Sequence, residues 1–166
     1  MLRKALLGDV EAIREWRNHA EVRRVSLTQH AITVDEHRAW WERVEKDPTT
    51  VVLIYERDGL PSGVVTFFDL TDQSTWWGYY LDNDGLTARG TLFPAWISIQ
   101  REAVRYAKHE LGLLEIHGET LAANESAVAF NERQGFSEVE RYPRVIAGQP
   151  YDVIHSRRTF EQENHG

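Results

Sequence analysis

The chain has 166 residues, with 19 Lys plus Arg against 26 Asp plus Glu, a net charge of −7, and no cysteine. That length predicts one domain able to bury roughly two-thirds of its unfolded surface without disulfides. The missing thiols exclude a disulfide scaffold, a thiolate nucleophile, Cys-ligated zinc and iron–sulfur chemistry. The acidic balance, with no Lys/Arg cluster, argues against nucleic acid as the main partner.

No apolar run reaches bilayer length, and residues 1–9 lack the apolar core of a signal peptide, so a soluble cytoplasmic protein without a membrane partner is expected. Residues 1–160 read as a single domain and 161–166 as a disordered tail. In chain order, residues 3–7 form a short strand, and Asp9 caps a helix whose apolar positions are Val10, Ile13 and Trp16. Residues 27–32 are irregular. Thr33 with Glu36 forms a capping box opening a helix through Trp40, Trp41 and Val44, which stops before Pro48. Strands follow at 50–56 and 63–70, separated by Asp58-Gly59 and Pro61, and a third runs over 75–81.

A glycine-bearing loop over 82–90 leads into a long helix with Pro94 in its first turn. Its buried stripe is Trp96, Ile99, Ala103, Ala107 and Leu111, and Gly112 ends it. Residues 113–121 form a strand, Asn124 caps a helix through Arg133, and the last strands span 136–142 and 151–160. The order β-α-α-β-β-β-α-β-α-β-β is an α/β (α+β) fold, a mostly antiparallel mixed sheet with one parallel pair at its centre.

The junction between the 75–81 strand and the long helix is the first chemical candidate. Free N–H groups at a helix start reached through a glycine loop can hold a phosphate, with Arg89 adding a charged contact; an ordinary connection is the alternative. Metal is not expected, since the seven histidines show neither ligand-pair spacing nor an HExxH pattern.

The segment Gly118-Glu119-Thr120-Leu121-Ala122-Ala123-Asn124-Glu125-Ser126-Ala127, ending Phe130-Asn131-Glu132-Arg133-Gln134-Gly135-Phe136, resembles the signature of the GNAT acyl-CoA-dependent N-acetyltransferases. Trp16-Arg17-Asn18, Val22-Arg23, Ser26, and Ile32 through Glu36-His37 to Trp40 resemble a branch that acetylates nucleotide-linked amino sugars, of the pseudaminic acid pathway type. The resemblance implies the GNAT fold and acetyl-CoA as cosubstrate, held in a V-shaped opening between the 75–81 and 113–121 strands. Pantetheine would run along Tyr79, Tyr80 and Leu81, and the pyrophosphate would lie on Thr87, Ala88, Arg89, Gly90 and Thr91. Asn124 and Phe130 would add cofactor contacts. The phosphate loop departs from the family pattern: Thr87 stands at its basic position and Leu92 at its second small one, in a loop about two residues longer.

Acetyl transfer needs a neutral amine, a stabilised oxyanion and a protonated leaving thiolate. The usual acid at the start of the 75–81 strand is absent, since Thr75 and Trp76 stand there. Glu119 matches an acid of the amino-sugar branch and is the expected group to orient or deprotonate the amine; a sheet-surface carboxylate is the alternative, and His30 is a second candidate base. Asn131 occupies the general-acid position, where an amide can hold a water or thiolate but cannot deliver a proton, leaving water, Tyr142 or Tyr80. Arg23 and Arg24, next to Ser26, are expected to anchor an anionic acceptor, with Trp77 on the acceptor wall. The reading is an N-acetyltransferase for a small-molecule amine, a nucleotide-linked amino sugar first, acting as a monomer or homodimer. Another small amine, a peptide or protein N-terminus, or a catalytically degenerate acyl-CoA-binding module are the alternatives.

Overall fold

The computed structural model describes residues 1–160, so the expected tail lies outside the described residues. The elements are β1 (Leu2–Lys4), α1 (Val10–Asn18), α2 (Ala20–Val25), α3 (Val34–Lys46), β2 (Val51–Arg57), β3 (Leu60–Phe68), β4 (Ser74–Leu81), α4 (Asn83–Ala88), α5 (Leu92–His109), β5 (Glu115–Leu121), α6 (Glu125–Arg133), β6 (Ser137–Ile146) and β7 (Gln149–Thr159). One seven-stranded sheet runs in the order β1-β2-β3-β4-β5-β7-β6. The pairings are antiparallel except β4 with β5, as the sequence order implied.

Strand alternation divides the core between the two faces of the sheet. On one face Leu53, Tyr55, Val65, Phe67, Trp77 and Leu81 pack under α5, whose Ala95, Ile99, Ala103 and Ala107 are fully buried. Alanines on that stripe let the helix axis lie close, while Ile99 fills the space between them. On the other face Ile54 and Val64 pack under Ile13 and Trp16 of α1. A third cluster, Leu121, Ile146 and Val153, is covered by Leu27 from the irregular segment after α2.

Four local expectations are corrected. Asp9 precedes α1 without capping it: its carboxylate accepts from Arg3 at 2.8 and 2.9 Å and from the Leu6 N–H at 2.8 Å. The Arg3 guanidinium holds the Asp9 carboxyl below the usual carboxylate range. α2 is a separate helix, because His19 breaks the chain at ψ 136° and its Nδ1 accepts the Glu21 N–H. Residues 83–88 are a helix, since Asp82 accepts from the Gly85 N–H at 3.0 Å and caps α4. The last hairpin is longer than its composition suggested: β6 reaches Ile146 and turns through Ala147 (φ 51°) and Gly148 (φ 76°). Both turn residues are left-handed, the geometry of a two-residue hairpin, and alanine there is a weak sequence signal.

Candidate active site

The parallel ladder pairs Ser74 with Glu115, Thr75 with Ile116, Trp76 with His117 and Trp77 with Gly118, and ends there. Both strands continue, β4 to Leu81 on β3 and β5 to Leu121 on β7. Beyond Gly118 each half of the sheet keeps its own partner, and the two halves part. The indole of Trp77 lies on the strand at this point: a Cβ on Gly118 would stand 2.7 Å from its Nε1. Along 78–81 and 119–121 the facing backbone edges have no ladder partner across the gap. Backbone polar groups require partners, and an extended amide-bearing ligand can provide them as an added strand does. A Cβ at Gly78 would meet nothing within 4 Å, so the sheet face it shares with Trp76 and Tyr80 is uncovered where the strands part.

On the α5 side, Trp96 packs tilted against Phe130 with ring centroids 4.2 Å apart and joins α5 to α6. Beside them the Gln100 amide donates to Asn131 Oδ1 at 2.8 Å, and Asn131 Nδ2 donates to Thr120 Oγ1 at 3.3 Å. Asn131 thus ties both helices to β5. Burial raises the Tyr79 hydroxyl well above its ordinary value, offset in part by a hydrogen bond with Trp96. Tyr80, on the opposite face, is raised by burial and lowered in part by Arg17. Both phenols therefore remain protonated at neutral pH.

On the α1 side, Trp76 stacks on His117 at 5.2 Å and on His155 at 4.6 Å. Glu119 is the first β5 residue beyond the ladder, half-buried, with Arg144 Nη1 3.7 Å from its carboxylate. Arg17 reaches the same side from α1; it donates to the Thr28 carbonyl, and its Nη1 is buried without a partner.

Several expected site residues sit elsewhere. Trp77 is in the core, stacked on Phe136 at 5.3 Å under α5, so it forms no acceptor wall; Trp76 is the β4 tryptophan on the other face. His30 is exposed and bonds Glu36 at 2.9 Å, beside the N-terminus of α3. Arg24 is an exposed partner of Glu21 at 2.9 Å. Arg23 donates to the Gln29 carbonyl at 3.0 Å and Ser26 to the Val22 carbonyl, both ordering the segment after α2.

The phosphate loop changes most. Because α4 is helical, the Arg89, Gly90 and Thr91 N–H groups are bound to Gly85, Thr87 and Leu86 carbonyls, and Thr87 and Ala88 lie within α4. Arg89 donates to Ser62 Oγ at 3.1 Å. The donors that helix geometry leaves without intrahelical partners there are the Leu92 and Phe93 N–H groups; Pro94 has none. Asn124 stands at the N-cap of α6, yet its side chain makes no cap bond. A capping Asn replaced by Ala costs about 1 kcal/mol of stability. Asn124→Ala is therefore expected to leave the melting temperature within about 2 °C of wild type by calorimetry, while raising KM for acetyl-CoA.

His117, His155, Arg144, Arg17 and Gln100 were not expected at the site. One signal was present: Glu115, His117 and Glu119 recur at strand period and must share a face. A depression of about 370 Å³, lined by Pro94, Ile97, Ser98, Arg101, Glu102 and Arg105, lies on the side of α5 turned away from α6 and the gap.

A mixed sheet that parts at its parallel pair, with helices at both mouths of the gap, is the fold of N-acetyltransferases. The spermidine N-acetyltransferase of Vibrio cholerae, solved with CoA and spermine, superposes with a TM-score of 0.82 at 18% identity, over 96% of this chain and 94% of that one. The ribosomal-protein-alanine N-acetyltransferase of Brucella melitensis gives 0.72 at 18% identity, over 96% and 99%. The acetyltransferase (GNAT) domain family matches residues 1–137, and the chain belongs to it: it is an acetyl-CoA-dependent N-acetyltransferase. No curated protein sequence matches it. Among the described residues no helix is long and apolar enough to cross a membrane.

Proposed function

We propose that the protein transfers acetyl from acetyl-CoA to the primary amine of an amino sugar carried by a nucleotide. The observation that carries this reading is the composition of the α1-side face. Glu119 stands at the apex, with Arg144 beside it and the partly unpartnered Arg17 guanidinium on the same side. A guanidinium beside the carboxylate that meets the amine suits an acceptor with an ammonium and an anionic remainder, to which a polyamine has nothing to offer. Trp76 and Tyr142 supply flat surfaces suited to a sugar or base.

Acetyl-CoA supplies the thioester. Its pantetheine amides would pair with the open edge at Tyr79, Tyr80 and Leu81, with Asn124 free to meet them, and its pyrophosphate would take the Leu92 and Phe93 N–H groups. Glu119 holds the ammonium against the thioester, and proximity contributes much of the acceleration. Asn131 has no proton to give, so one of the amine's own protons reaches the leaving thiolate through water.

Thiol release from acetyl-CoA tests this with three amines: a UDP-linked 4-amino-4,6-dideoxy sugar, spermidine and a peptide with a free N-terminus. The expected result is a kcat/KM for the UDP sugar at least ten-fold above the others. Preference for spermidine or the peptide overturns the substrate class, and CoA binding without turnover of any amine makes the protein an acyl-CoA-binding module.

A further inference from the structure

We propose that His155 is the general base of the acetyl transfer, taking the amine proton at Nδ1, while His117 and Glu115 act behind it as positioning residues that spread the charge. The inference rests on the N-acetyltransferase reading above and adds to it the group that Glu119, as ammonium holder, leaves unspecified.

Glu115, His117 and His155 form a hydrogen-bonded chain on the α1-side face, and Glu140 flanks its outer end. His117 Nε2 lies 3.0 Å from Glu115 Oε1, His117 Nδ1 lies 2.8 Å from His155 Nε2, and His155 Nδ1 lies 3.8 Å from Glu140 Oε1. His117 and His155 are 15% and 12% exposed, and the Trp76 ring stacked on both fixes their planes. His155 pairs with Glu119 across the β5–β7 ladder, level with the point where β4 and β5 part.

Hydrogen-bond chemistry gives the chain a direction. A carboxylate only accepts, so His117 Nε2 carries a proton toward Glu115. Neutral His117 then has a bare Nδ1, which must accept from His155 Nε2–H. Neutral His155 is left with a bare Nδ1 at the outer end, the basic lone pair. A proton arriving there reverses the middle bond: His155 Nε2–H passes to His117 Nδ1, and the positive charge settles on His117 beside Glu115. Two imidazolium rings facing at 2.8 Å cannot coexist, so the pair takes up one proton and no more.

The charged groups facing His155 are Glu115 and Glu119 on β5, Glu140 and Arg144 on β6, and Arg157 on its own strand. Burial and His117 push its pKa below the ordinary imidazole value; Glu140 and Glu119 oppose them, and Arg157 adds to the lowering. The ring is therefore unprotonated at neutral pH, as a base must be. In the reaction the ammonium gives one proton to His155, directly or through one water. The nitrogen lone pair forms the C–N bond, the C–S bond breaks, a second amine proton goes to the thiolate, and the third stays on the amide. His155 then returns its proton to solvent.

Kinetics with the preferred amine of the three above, together with ¹⁵N NMR of the histidine tautomers, test this. His155→Gln is expected to lower kcat about 100-fold or more, leave KM for acetyl-CoA unchanged and remove the acidic limb of the kcat–pH profile. Exogenous imidazole is expected to restore part of the rate of His155→Ala, and His117→Asn to shift the limb without removing it. NMR of the unsubstituted protein at neutral pH is expected to show Nε2–H at both residues with bare Nδ1. Retention of kcat and of the acidic limb in His155→Gln overturns the proposal, as does an Nδ1–H tautomer at His155. The NMR measurement needs neither a substitution nor turnover, so it decides the chain's direction even where a variant misfolds or no amine reacts.

Discussion

Glu119→Gln is expected to lower kcat/KM for the amine acceptor by about ten- to a hundred-fold, the equivalent of one charge-assisted hydrogen bond, with KM for acetyl-CoA unchanged. The substitution keeps an oxygen that can accept and removes the charge that holds the ammonium. It leaves Arg144 without its carboxylate at 3.7 Å, so a stronger effect is expected at low salt than at high salt. The acidic limb assigned to His155 persists in this variant, displaced downward by loss of a negative neighbour. Steady-state kinetics over pH separate the roles: Glu119→Gln acts on acceptor binding, whereas His155→Gln acts on kcat. An unchanged acceptor kcat/KM in Glu119→Gln removes this residue from the site.

Trp77→Ala is expected to cost about 3–5 kcal/mol, the range for removing a buried tryptophan, and to lower the melting temperature by about 6–20 °C at this chain length. The indole is 8% exposed, stacks on Phe136, tilts against Tyr79 at 5.2 Å and covers Gly118. Its removal empties the end of the parallel ladder, so the loss of stability is accompanied by a rise in KM for acetyl-CoA. Calorimetry and donor kinetics check the two effects; a change in acceptor KM alone would return Trp77 to the acceptor wall.

The succession of seven strands along the chain and the parallel pair were legible, the pair because the 75–121 segment carries the pattern strand, helix, strand, and a helical crossover forces parallel pairing; the place of β7 between β5 and β6 was not. Glu119 was legible from its motif and stands where the sheet parts. Side-chain facing was not: Trp76 and Trp77 are adjacent and chemically alike, and a single step in register exchanges core for cleft. The 82–90 loop was misread because glycine at 85 suggested a turn, whereas Asp82 caps a short helix that consumes the expected phosphate donors. His155 escaped notice because its partner His117 lies 38 positions away along the chain, and only the β5–β7 ladder joins them.

Asn131, first read for its missing proton, has a mechanical consequence. Four ladder rungs join the two half-sheets, and above them the distance between α5 and β5 is spanned by one side chain that accepts from Gln100 and donates to Thr120. An amide offers an acceptor and a donor about 2.3 Å apart on a rigid plane, which neither a phenol nor an aliphatic chain can match. Asn131 is thus a strut that holds α5 and α6 at a set distance from β5 just beyond the last rung of the parallel ladder.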